Sequence, residues 1–331
     1  MRIAINGFGR IGRLVLRAIA EKKDPTIQVV AINDLGSLED NVHLFKYDSI
    51  HGRYGHEVKT TKDTMDVGTG PIKVVSHANP KDLPWKDMNI DLVMECSGRF
   101  TSKEAAQAHI DAGAKKVLIS APASGADLTV VYGVNDDKLT NEHTIVSNAS
   151  CTTNCLAPVA DALNRGVGII NGFMTTIHAY TADQRLVDSI HNDLRRARAA
   201  ALSMIPSSTG AAKAIGLVLP ELSGKLEGTA IRVPTANVSV IDLVFNASRD
   251  TTVEEINDLM TKAAQGRLKG ILEVVDEPLV SIDFNHNPLS SSFDLTQTTV
   301  IDKRLCRVVS WYDNEWGFSN RMVDTAKAMC R

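Results

Sequence analysis

A glycine-rich turn between an apolar strand pattern and a helical pattern constrains the fold of this chain more than any other feature. The segment NGFGRIG places Gly7, Gly9 and Gly12 after the apolar run RIAIN and at the start of the helical pattern RIGRLVLRAIAEK. Such a turn lets the backbone approach a pyrophosphate closely, and the N-terminus of the helix attracts its negative charge. The chain is therefore expected to open with a strand, a phosphate-binding turn and a helix.

An acidic residue after the second strand pattern strengthens this expectation. Asp34 ends the segment AIND, about 20 residues beyond the turn, where a carboxylate accepts hydrogen bonds from an adenosine ribose. A carboxylate there repels a 2′-phosphate, and the apolar Leu35 offers no donor to compensate, so NAD is favoured over NADP. Two serines at the ends of later strand patterns lie where a dinucleotide passes, although ordinary loop residues explain them equally well. The predicted cofactor-binding residues are Gly7, Gly9, Arg10, Ile11, Gly12, Asp34, Ser97 and Ser120.

The pattern of predicted strands and helices changes at Cys151. A chain of 331 residues is also long enough for two domains. Before Cys151, short β-branched runs alternate with helical patterns, which is typical of a Rossmann-type, doubly wound parallel sheet in an α/β fold. KTTKDTMDVGTGPIKVVS predicts an antiparallel hairpin. Longer alternating runs after Cys151 predict an α+β domain with a large, mostly antiparallel sheet. We expect an NAD-binding domain over 1–150, a catalytic domain over 151–315, and a terminal helix over 316–331 that packs on the first domain.

The composition excludes several classes of protein. Hydrophobic residues make up 44% and charged residues 23%, as in an average globular chain, and the formal charge of -3 provides no basic field for nucleic acid. No apolar run approaches the roughly 20 residues that span a bilayer, and the opening strand pattern leaves no room for a leader. Five cysteines are expected to be free thiols. The chain is expected to be cytoplasmic, with neither nucleic acid nor membrane as a partner.

The segment SNASCTTNCLAP raises the question of what its two cysteines do. A metal site needs further soft ligands nearby, and the other three cysteines are scattered singly. Cys155 lies one helical turn inward among apolar residues and is expected in the core. Cys151 follows helix-starting residues, and a helix N-terminus stabilises a thiolate. His178 in TTIHAYT is a candidate base, although a lone histidine in a strand is more often a hydrogen-bonded core residue.

Seven segments together resemble the phosphorylating glyceraldehyde-3-phosphate dehydrogenases over essentially the whole chain: INGFGRIGR, SNASCTTNCLAP, HAYT, RRARAAA, SSTGAAKA, RVPT and SWYDNEWG. The resemblance implies that Cys151 adds to the aldehyde of D-glyceraldehyde 3-phosphate as a thiohemiacetal. His178 takes the hydroxyl proton as hydride leaves for NAD, and also raises thiolate reactivity by ion pairing. Inorganic phosphate then releases the thioester as 1,3-bisphosphoglycerate, in glycolysis or gluconeogenesis.

The resemblance also implies two anion pockets and an assembly. Thr181, Asp183 and Arg232 hold the phosphate of the substrate. Hydroxyls, a backbone group and a guanidinium hold the attacking phosphate, contributed by Ser150, Thr152, Arg196, Thr209 and Gly210. Asn314 holds the nicotinamide carboxamide and determines which ring face receives hydride. The charged segment from DQRL to RRAR corresponds to a loop that packs between the subunits of a homotetramer.

Some positions depart from the pattern of the family. Phe318 stands where many members have tyrosine, Ala78 where an arginine near adenine is common, and Ser189 with Ile190 match neither the NAD nor the NADP pattern. The segments DFNHNP, VVYGVN and WGFSNRM resemble the sister enzyme that oxidises erythrose 4-phosphate. A protein that keeps the fold and uses its thiol only as a redox sensor is the alternative of a different class.

Overall fold

The computed structural model describes the whole chain, Met1–Arg331, as two compact units. Unit 1 comprises Met1–Val130, Asp136–Ser150 and Ser319–Arg331, and unit 2 comprises Val131–Asn135 and Cys151–Phe318. None of the helices has the length and apolar character that crossing a bilayer requires.

Apart from the last helix of the chain, unit 1 is built from short strands and three amphipathic helices, as the alternating patterns predict. The strands are β1 Arg2–Asn6, β2 Gln28–Asn33, β3 Tyr47–Asp48, β4 Gly52–Arg53, β5 Lys59–Thr60, β6 Thr64–Asp66, β7 Pro71–Val75, β8 Leu92–Glu95, β9 Lys116–Ile119, β10 Leu128–Thr129 and β11 Ile145–Ser147. The helices are α1 Arg10–Lys22, α2 Leu38–Lys46 and α3 Lys103–Asp111. Ser37 and Ser102 accept backbone N–H groups at the starts of α2 and α3, which satisfies donors that a helix end leaves unpaired.

The sheet of unit 1 has the strand order β10-β11-β9-β8-β1-β2-β7-β6-β5. Every neighbouring pair from β10 to β7 is parallel, whereas β7, β6 and β5 pair antiparallel, so the predicted hairpin is confirmed at this edge. The chain leaves β1 for β2 on one side and later returns to β8 on the other side. Ligands of such sheets bind where the strand order reverses, beyond the carboxyl ends of the strands.

The main part of unit 2 begins with the helix that carries Cys151 and continues into a second sheet, several of whose strands are longer than those of unit 1. Its helices are α4 Cys151–Gly166, α5 Ala211–Val218 and α6 Val253–Gln265. Its strands are β12 Ile169–Ala179, β13 Ile205–Ser208, β14 Leu226–Val233, β15 Ser239–Ala247, β16 Leu272–Val275, β17 Ser291–Asp294, β18 Thr299–Ile301 and β19 Leu305–Tyr312. The last helix, α7 Trp316–Met329, belongs to unit 1 from Ser319 onward.

The strands of unit 2 follow the order β13-β14-β12-β15-β19-β17-β16, with β18 beside β19. Only β12 with β14 and β16 with β17 are parallel, which confirms the expected, mostly antiparallel sheet. Buried and accessible residues alternate along β15, because one face of the sheet packs on helices. Between β12 and β13, where the charged segment from DQRL to RRAR lies, the chain forms no helix or strand.

The boundaries of the units differ from the simple division predicted at residue 150. Residues Val131–Asn135 group with unit 2 because Arg267 donates to the carbonyl of Gly133 at 3.0 Å and Ile271 packs tightly on the same glycine. The assignment of cofactor binding to one domain and catalysis to the other stays a prediction.

Candidate active site

The predicted phosphate-binding turn lies between β1 and α1 and needs its glycines for steric reasons. Gly7 has φ +89, and a Cβ there would lie 2.5 Å from the backbone of Ser97. A Cβ on Gly12 would lie 2.1 Å from the carbonyl oxygen of Gly7. Gly9 precedes α1 without a side-chain cap, and a Cβ at this position would meet no atom within 4 Å. The turn therefore presents an open helix N-terminus, which suits a pyrophosphate.

Asp34 lies beside this turn at the end of β2, as the sequence predicts. Its Oδ2 accepts the Phe8 N–H at 2.8 Å, and its Oδ1 accepts the Gly36 N–H at 2.8 Å. Arg10, the first residue of α1, donates to both oxygens of Asp48 at 2.5 and 3.2 Å. The carboxylate of Asp34 keeps further lone pairs for a ribose, so these residues fit the adenosine half of NAD.

A buried hydrogen-bond network that the sequence did not reveal supports the same edge of the sheet. Glu95 Oε2 lies 2.9 Å from His109 Nε2 and accepts from Asn6 Nδ2 at 2.5 Å. Trp85 Nε1 donates to His109 Nδ1 at 3.1 Å, which leaves the ring proton on Nε2 to donate to Glu95. Asn33 Nδ2 donates in turn to Asn6 Oδ1 at 2.7 Å.

The two predicted serines lie at strand ends that this network supports. The N–H and hydroxyl of Ser97 both donate to Glu95 Oε1, at 2.8 and 2.5 Å. The N–H of Ser120 donates to the carbonyl of Glu95 at 3.0 Å. Both serines therefore lie at the carboxyl edge of the sheet, where a dinucleotide passes in this fold.

In unit 2 the structure brings the thiol and the imidazole together. Cys151 is the first residue of α4, and its Sγ lies 3.6 Å from His178 Nε2. His178 is near the end of β12 and is buried, with its Nδ1 2.7 Å from the carbonyl oxygen of Ala179. Arg232, its neighbour on β14, places Nη1 2.8 Å from the same Nδ1. Geometry thus assembles a nucleophile, a base and a cation from three elements.

Burial acts against the ion pair of thiolate and imidazolium that the resemblance implies. Burial, followed by the nearby charge of Arg232, lowers the pKa of His178 to about 3, although the Ala179 carbonyl opposes the shift. Burial also raises the pKa of the Cys151 thiol, and Arg232 opposes that shift. At neutral pH the structure therefore holds a neutral thiol beside a neutral imidazole.

Two tautomers of His178 satisfy its contacts in different ways. A guanidinium only donates, so a bond from Arg232 to Nδ1 places the ring proton on Nε2. A carbonyl only accepts, so a bond from Nδ1 to Ala179 leaves a lone pair on Nε2, facing the sulfur of Cys151. The second tautomer is the one that can act as a base towards the thiol.

Tyr312 is a further residue of this site that sequence reasoning missed. Its ring meets His178 edge to face at 5.9 Å, and its hydroxyl lies 2.8 Å from Thr152 Oγ1 and 2.9 Å from Thr176 Oγ1. The side chain is buried, so it packs against the imidazole and is not exposed to a ligand. The aromatic in SWYDNEWG was the available signal, but an aromatic in a strand usually indicates only the core.

The residues expected to bind anions are only partly separated into two pockets. Arg196 donates to Ser207 Oγ at 2.8 Å and to Asp183 Oδ2 at 2.6 Å. Asp183, expected beside Arg232, is thus paired with the arginine expected in the other pocket. Thr181 accepts the Gln184 N–H on its carbonyl in the same irregular segment. The charges of Arg232 and Arg196 both lower the pKa of His178.

The remaining predicted residues lie at helix starts and at one tight turn. Thr209 and Gly210 precede α5, and the N–H of Ala211 donates to Thr209 Oγ1 at 3.2 Å. Ser150 directly precedes α4, which packs against α5, whereas the hydroxyl of Thr152 is engaged by Tyr312. Asn314 follows β19, and its Oδ1 accepts from the Ser239 hydroxyl at 2.8 Å.

The second cysteine of the motif belongs to the core, as predicted. Cys155 is fully buried, with its Sγ 3.3 Å from the hydroxyl of Ser291, and burial raises the pKa of its thiol to about 12. Such a thiol stays protonated and packs as a small apolar side chain.

Comparisons with known proteins agree with this geometry over both units. A family model described as glyceraldehyde 3-phosphate dehydrogenase, NAD binding domain, matches residues 1–103, and one described as the C-terminal domain matches residues 150–314. The chain is 67% identical over 329 residues to glyceraldehyde-3-phosphate dehydrogenase of Xanthobacter flavus, covering 99% of this chain and 98% of the relative. The glyceraldehyde-3-phosphate dehydrogenase of Cereibacter sphaeroides is 62% identical over 331 residues, covering 100% of this chain and 99% of the relative. That of Geobacillus stearothermophilus is 54% identical over 327 residues, covering 98% of this chain and 97% of the relative. The chain therefore belongs to the glyceraldehyde-3-phosphate dehydrogenase family.

Proposed function

We propose that the site of unit 2 oxidises D-glyceraldehyde 3-phosphate with NAD and releases the product as 1,3-bisphosphoglycerate. The observation that carries this proposal is the position of Cys151 Sγ at the start of α4, 3.6 Å from His178 Nε2. A nucleophile within reach of a base, which is itself oriented by a third group, is the arrangement that covalent catalysis requires.

The first step forms a bond between Cys151 Sγ and the aldehyde carbon. His178 Nε2 accepts the thiol proton as the sulfur attacks and passes it to the carbonyl oxygen, giving a neutral thiohemiacetal. The Ala179 carbonyl holds the proton of Nδ1 and so selects the basic tautomer. An anion that binds Arg232 draws this guanidinium away from Nδ1 and favours the same tautomer.

The second step is the oxidation. The hydrogen on the thiohemiacetal carbon leaves with its electron pair, while His178 takes the hydroxyl proton, so that a thioester of Cys151 is formed. NAD supplies the acceptor for this hydride. Gly7, Gly9 and Asp34 have the open helix end and the carboxylate to hold its pyrophosphate and ribose, and we assign the carboxamide to Asn314.

In the third step an oxygen of inorganic phosphate attacks the thioester carbon and the carbon–sulfur bond breaks. The departing sulfur takes the proton that His178 Nε2 holds, and the phosphate proton is released to water, so that the neutral thiol and imidazole are restored. We assign the substrate phosphate to Thr181, Asp183 and Arg232. The attacking phosphate is assigned to Ser150, Thr152, Arg196, Thr209 and Gly210. Asp183, assigned to the first phosphate, accepts a hydrogen bond at 2.6 Å from Arg196, which is assigned to the second. This hydrogen bond must break when an anion binds Arg196.

We further propose that four copies of the chain assemble as a homotetramer in the cytoplasm. The segment between β12 and β13 exposes several large apolar side chains, namely Leu186, Val187, Ile190, Leu194, Leu202 and Met204. Exposed apolar groups concentrated in one segment are typical of a protein interface. Five cysteines without a disulfide suit a reducing compartment.

The test is one rate assay that crosses glyceraldehyde 3-phosphate and erythrose 4-phosphate with NAD and NADP, with and without inorganic phosphate. We expect the fastest turnover with glyceraldehyde 3-phosphate, NAD and phosphate, and a strong loss of steady-state rate when phosphate is omitted. Turnover that is independent of phosphate, with erythrose 4-phosphate preferred, assigns the chain to the sister activity instead.

Alkylation of the thiols distinguishes the proposed enzyme from a protein that uses Cys151 only as a redox sensor. Iodoacetate should modify Cys151 before the buried Cys155, and dehydrogenase activity should fall in parallel with modification of Cys151 and not with that of the exposed Cys330. Full activity after complete alkylation of Cys151 favours a thiol with no catalytic role.

A further inference from the structure

Ser239 lies between the backbone beside His178 and the side chain of Asn314. It is the first residue of β15 and is 1% exposed. The N–H of Ala179 donates to Ser239 Oγ at 3.0 Å, and the Ser239 hydroxyl donates to Asn314 Oδ1 at 2.8 Å. The carbonyl of Ala179 is also the group that His178 Nδ1 contacts, at 2.7 Å. One buried hydroxyl therefore connects the residue that orients the base with the amide assigned to the nicotinamide.

The directions of these hydrogen bonds determine how the Asn314 amide is turned. A backbone N–H can only donate, so Ser239 Oγ accepts from Ala179. The single hydroxyl hydrogen of Ser239 is then directed to Asn314, whose oxygen and not its NH₂ group can accept it. The amide oxygen is thereby turned inward. Asn314 is 6% exposed, and no group of the chain accepts a hydrogen bond from its Nδ2, so this donor remains for a ligand.

The backbone on both sides of this contact is held in place. Asp313 Oδ1 accepts the N–H groups of Glu315 and Trp316 at 2.9 and 2.7 Å, and its Oδ2 accepts the N–H of His286 at 2.7 Å. These bonds anchor the turn that carries Asn314, so the main freedom left to its side chain is rotation of the amide.

A strained residue adjoins Ser239 on the other side. Val238 has φ +68 although its side chain is β-branched, and it is buried. β-branched residues rarely adopt this conformation, and such strain is most often found where the surrounding structure holds a functional geometry. The turn at Val238 brings Ser239 into register opposite Tyr312, two residues before Asn314.

We propose that Ser239 is a positioning residue that selects one orientation of the Asn314 amide, presents its Nδ2 to the carboxamide oxygen of the nicotinamide, and so determines which face of the ring receives hydride. This inference rests on the assignment of Asn314 to the nicotinamide under the proposed function. Without the hydroxyl, the amide is free to turn its oxygen towards the nicotinamide. The hydrogen bond from Nδ2 to the carboxamide oxygen is then made in only a fraction of the molecules, so NAD is held less tightly and the second ring orientation becomes accessible.

The test compares Ser239→Ala with Ser310→Ala, which removes another buried hydroxyl from the same sheet. Dissociation constants are measured for NAD and for ADP-ribose, which lacks the nicotinamide ring. Ser239→Ala should weaken NAD binding roughly tenfold, the effect of one lost hydrogen bond, and leave ADP-ribose binding unchanged. Ser310→Ala should change neither.

The second readout is the stereochemistry of transfer from glyceraldehyde 3-phosphate that carries deuterium on its aldehyde carbon. The unmodified chain should place deuterium on one face of the reduced ring, and Ser239→Ala should place a measurable fraction on the other, as read by proton NMR. Transfer to a single face with unchanged NAD binding overturns the proposal. Equal weakening of NAD and ADP-ribose also overturns it, because Ser239 then acts only through the fold.

Asn314→Ala separates this inference from the proposed function. If it weakens NAD relative to ADP-ribose while Ser239→Ala does not, the assignment of Asn314 stands and the role of Ser239 fails. If Asn314→Ala leaves the ratio of the two affinities unchanged, the assignment of Asn314 to the nicotinamide fails, and the role of Ser239 fails with it.

Discussion

At the scale of single residues, the chemistry depends on how burial acts on the protonation of the thiol and the imidazole. His178 and Cys151 are both held neutral at pH 7, since burial lowers the pKa of the imidazole to about 3 and raises that of the thiol. A neutral imidazole offers a lone pair to the thiol proton, and the 3.6 Å contact needs only a small closure for proton transfer.

Replacing His178 should therefore affect proton transfer rather than assembly of the site. We expect His178→Asn to slow oxidation by a factor of roughly 100 to 10,000, the range for a positioned acid or base, when hydride transfer is followed in single-turnover absorbance. Cys151→Ser is the companion variant, and it should abolish oxidation while leaving NAD binding intact. An unchanged rate in His178→Asn would reduce the histidine to a core residue.

Asp48 gives a residue-scale prediction about pH. Burial acts to raise the pKa of this carboxyl, but hydrogen bonds from Arg10 and from the N–H groups of His51 and Ile50 lower it to about 2. The lowered pKa stabilises the fold above about pH 4, and this contribution is lost as pH falls towards 2. Asp48→Asn should lower the free energy of unfolding at pH 7 by about 1–2 kcal/mol.

Urea unfolding at several pH values checks this sign. The difference between the unmodified chain and Asp48→Asn should be constant from pH 7 to 5 and shrink below pH 4. A difference that grows as pH falls is incompatible with a lowered carboxyl pKa.

At the scale of elements, the ends of helices decide where the functional groups lie. Helix α1 leaves its N-terminus open at Gly9, whereas α2 and α3 are capped by serine side chains. The open end is the one that faces the phosphate-binding turn, because a cap there would occupy the donors that a pyrophosphate needs.

The other end of α1 offers a stability test. Lys23 follows the helix with φ 48, and its N–H donates to the carbonyl of Ile19, so a side chain occupies a position that favours glycine. Lys23→Gly should stabilise unit 1 by about 0.5–1 kcal/mol, seen as a higher midpoint of thermal unfolding by circular dichroism. The matched control is Lys262→Gly inside α6, which should destabilise by a similar amount. A loss of stability in both variants contradicts the left-handed cap.

At the scale of the whole molecule, the segment between β12 and β13 exposes apolar side chains of the kind that protein interfaces bury. Ile190 and Leu194 are 94% and 83% exposed, and their segment also carries the arginine assigned to the attacking phosphate. Assembly that orders this segment would therefore affect the position of Arg196 as well as the stability of the assembled protein.

The double variant Ile190→Glu with Leu194→Glu should therefore dissociate the assembly, because each glutamate places a charge in an apolar contact. Light scattering after gel filtration should show four chains in the unmodified protein and smaller particles in the variant. Leu217→Glu, which alters an exposed leucine on α5, should retain four chains. A single-chain mass for the unmodified protein would exclude the tetramer.

The sequence by itself determined the features that depend on neighbouring residues. NGFGRIG, Asp34 and the alternating runs predicted the doubly wound sheet, its phosphate-binding turn and the mostly antiparallel second sheet, because glycine geometry and hydrophobic periodicity are local properties. The start of a helix at Cys151 and the burial of Cys155 followed from the same kind of pattern.

Only the tertiary structure decided the distances and the protonation states. Arg232 reaches His178 because β12 and β14 pair in parallel register, and Asp183 meets Arg196 within an irregular segment whose sequence has no periodic pattern. Ser239 meets Asn314 through the pairing of β15 with β19. Desolvation depends on everything packed around a group, so the neutral thiol and imidazole, unlike the glycine turn, could not be inferred from adjacent residues.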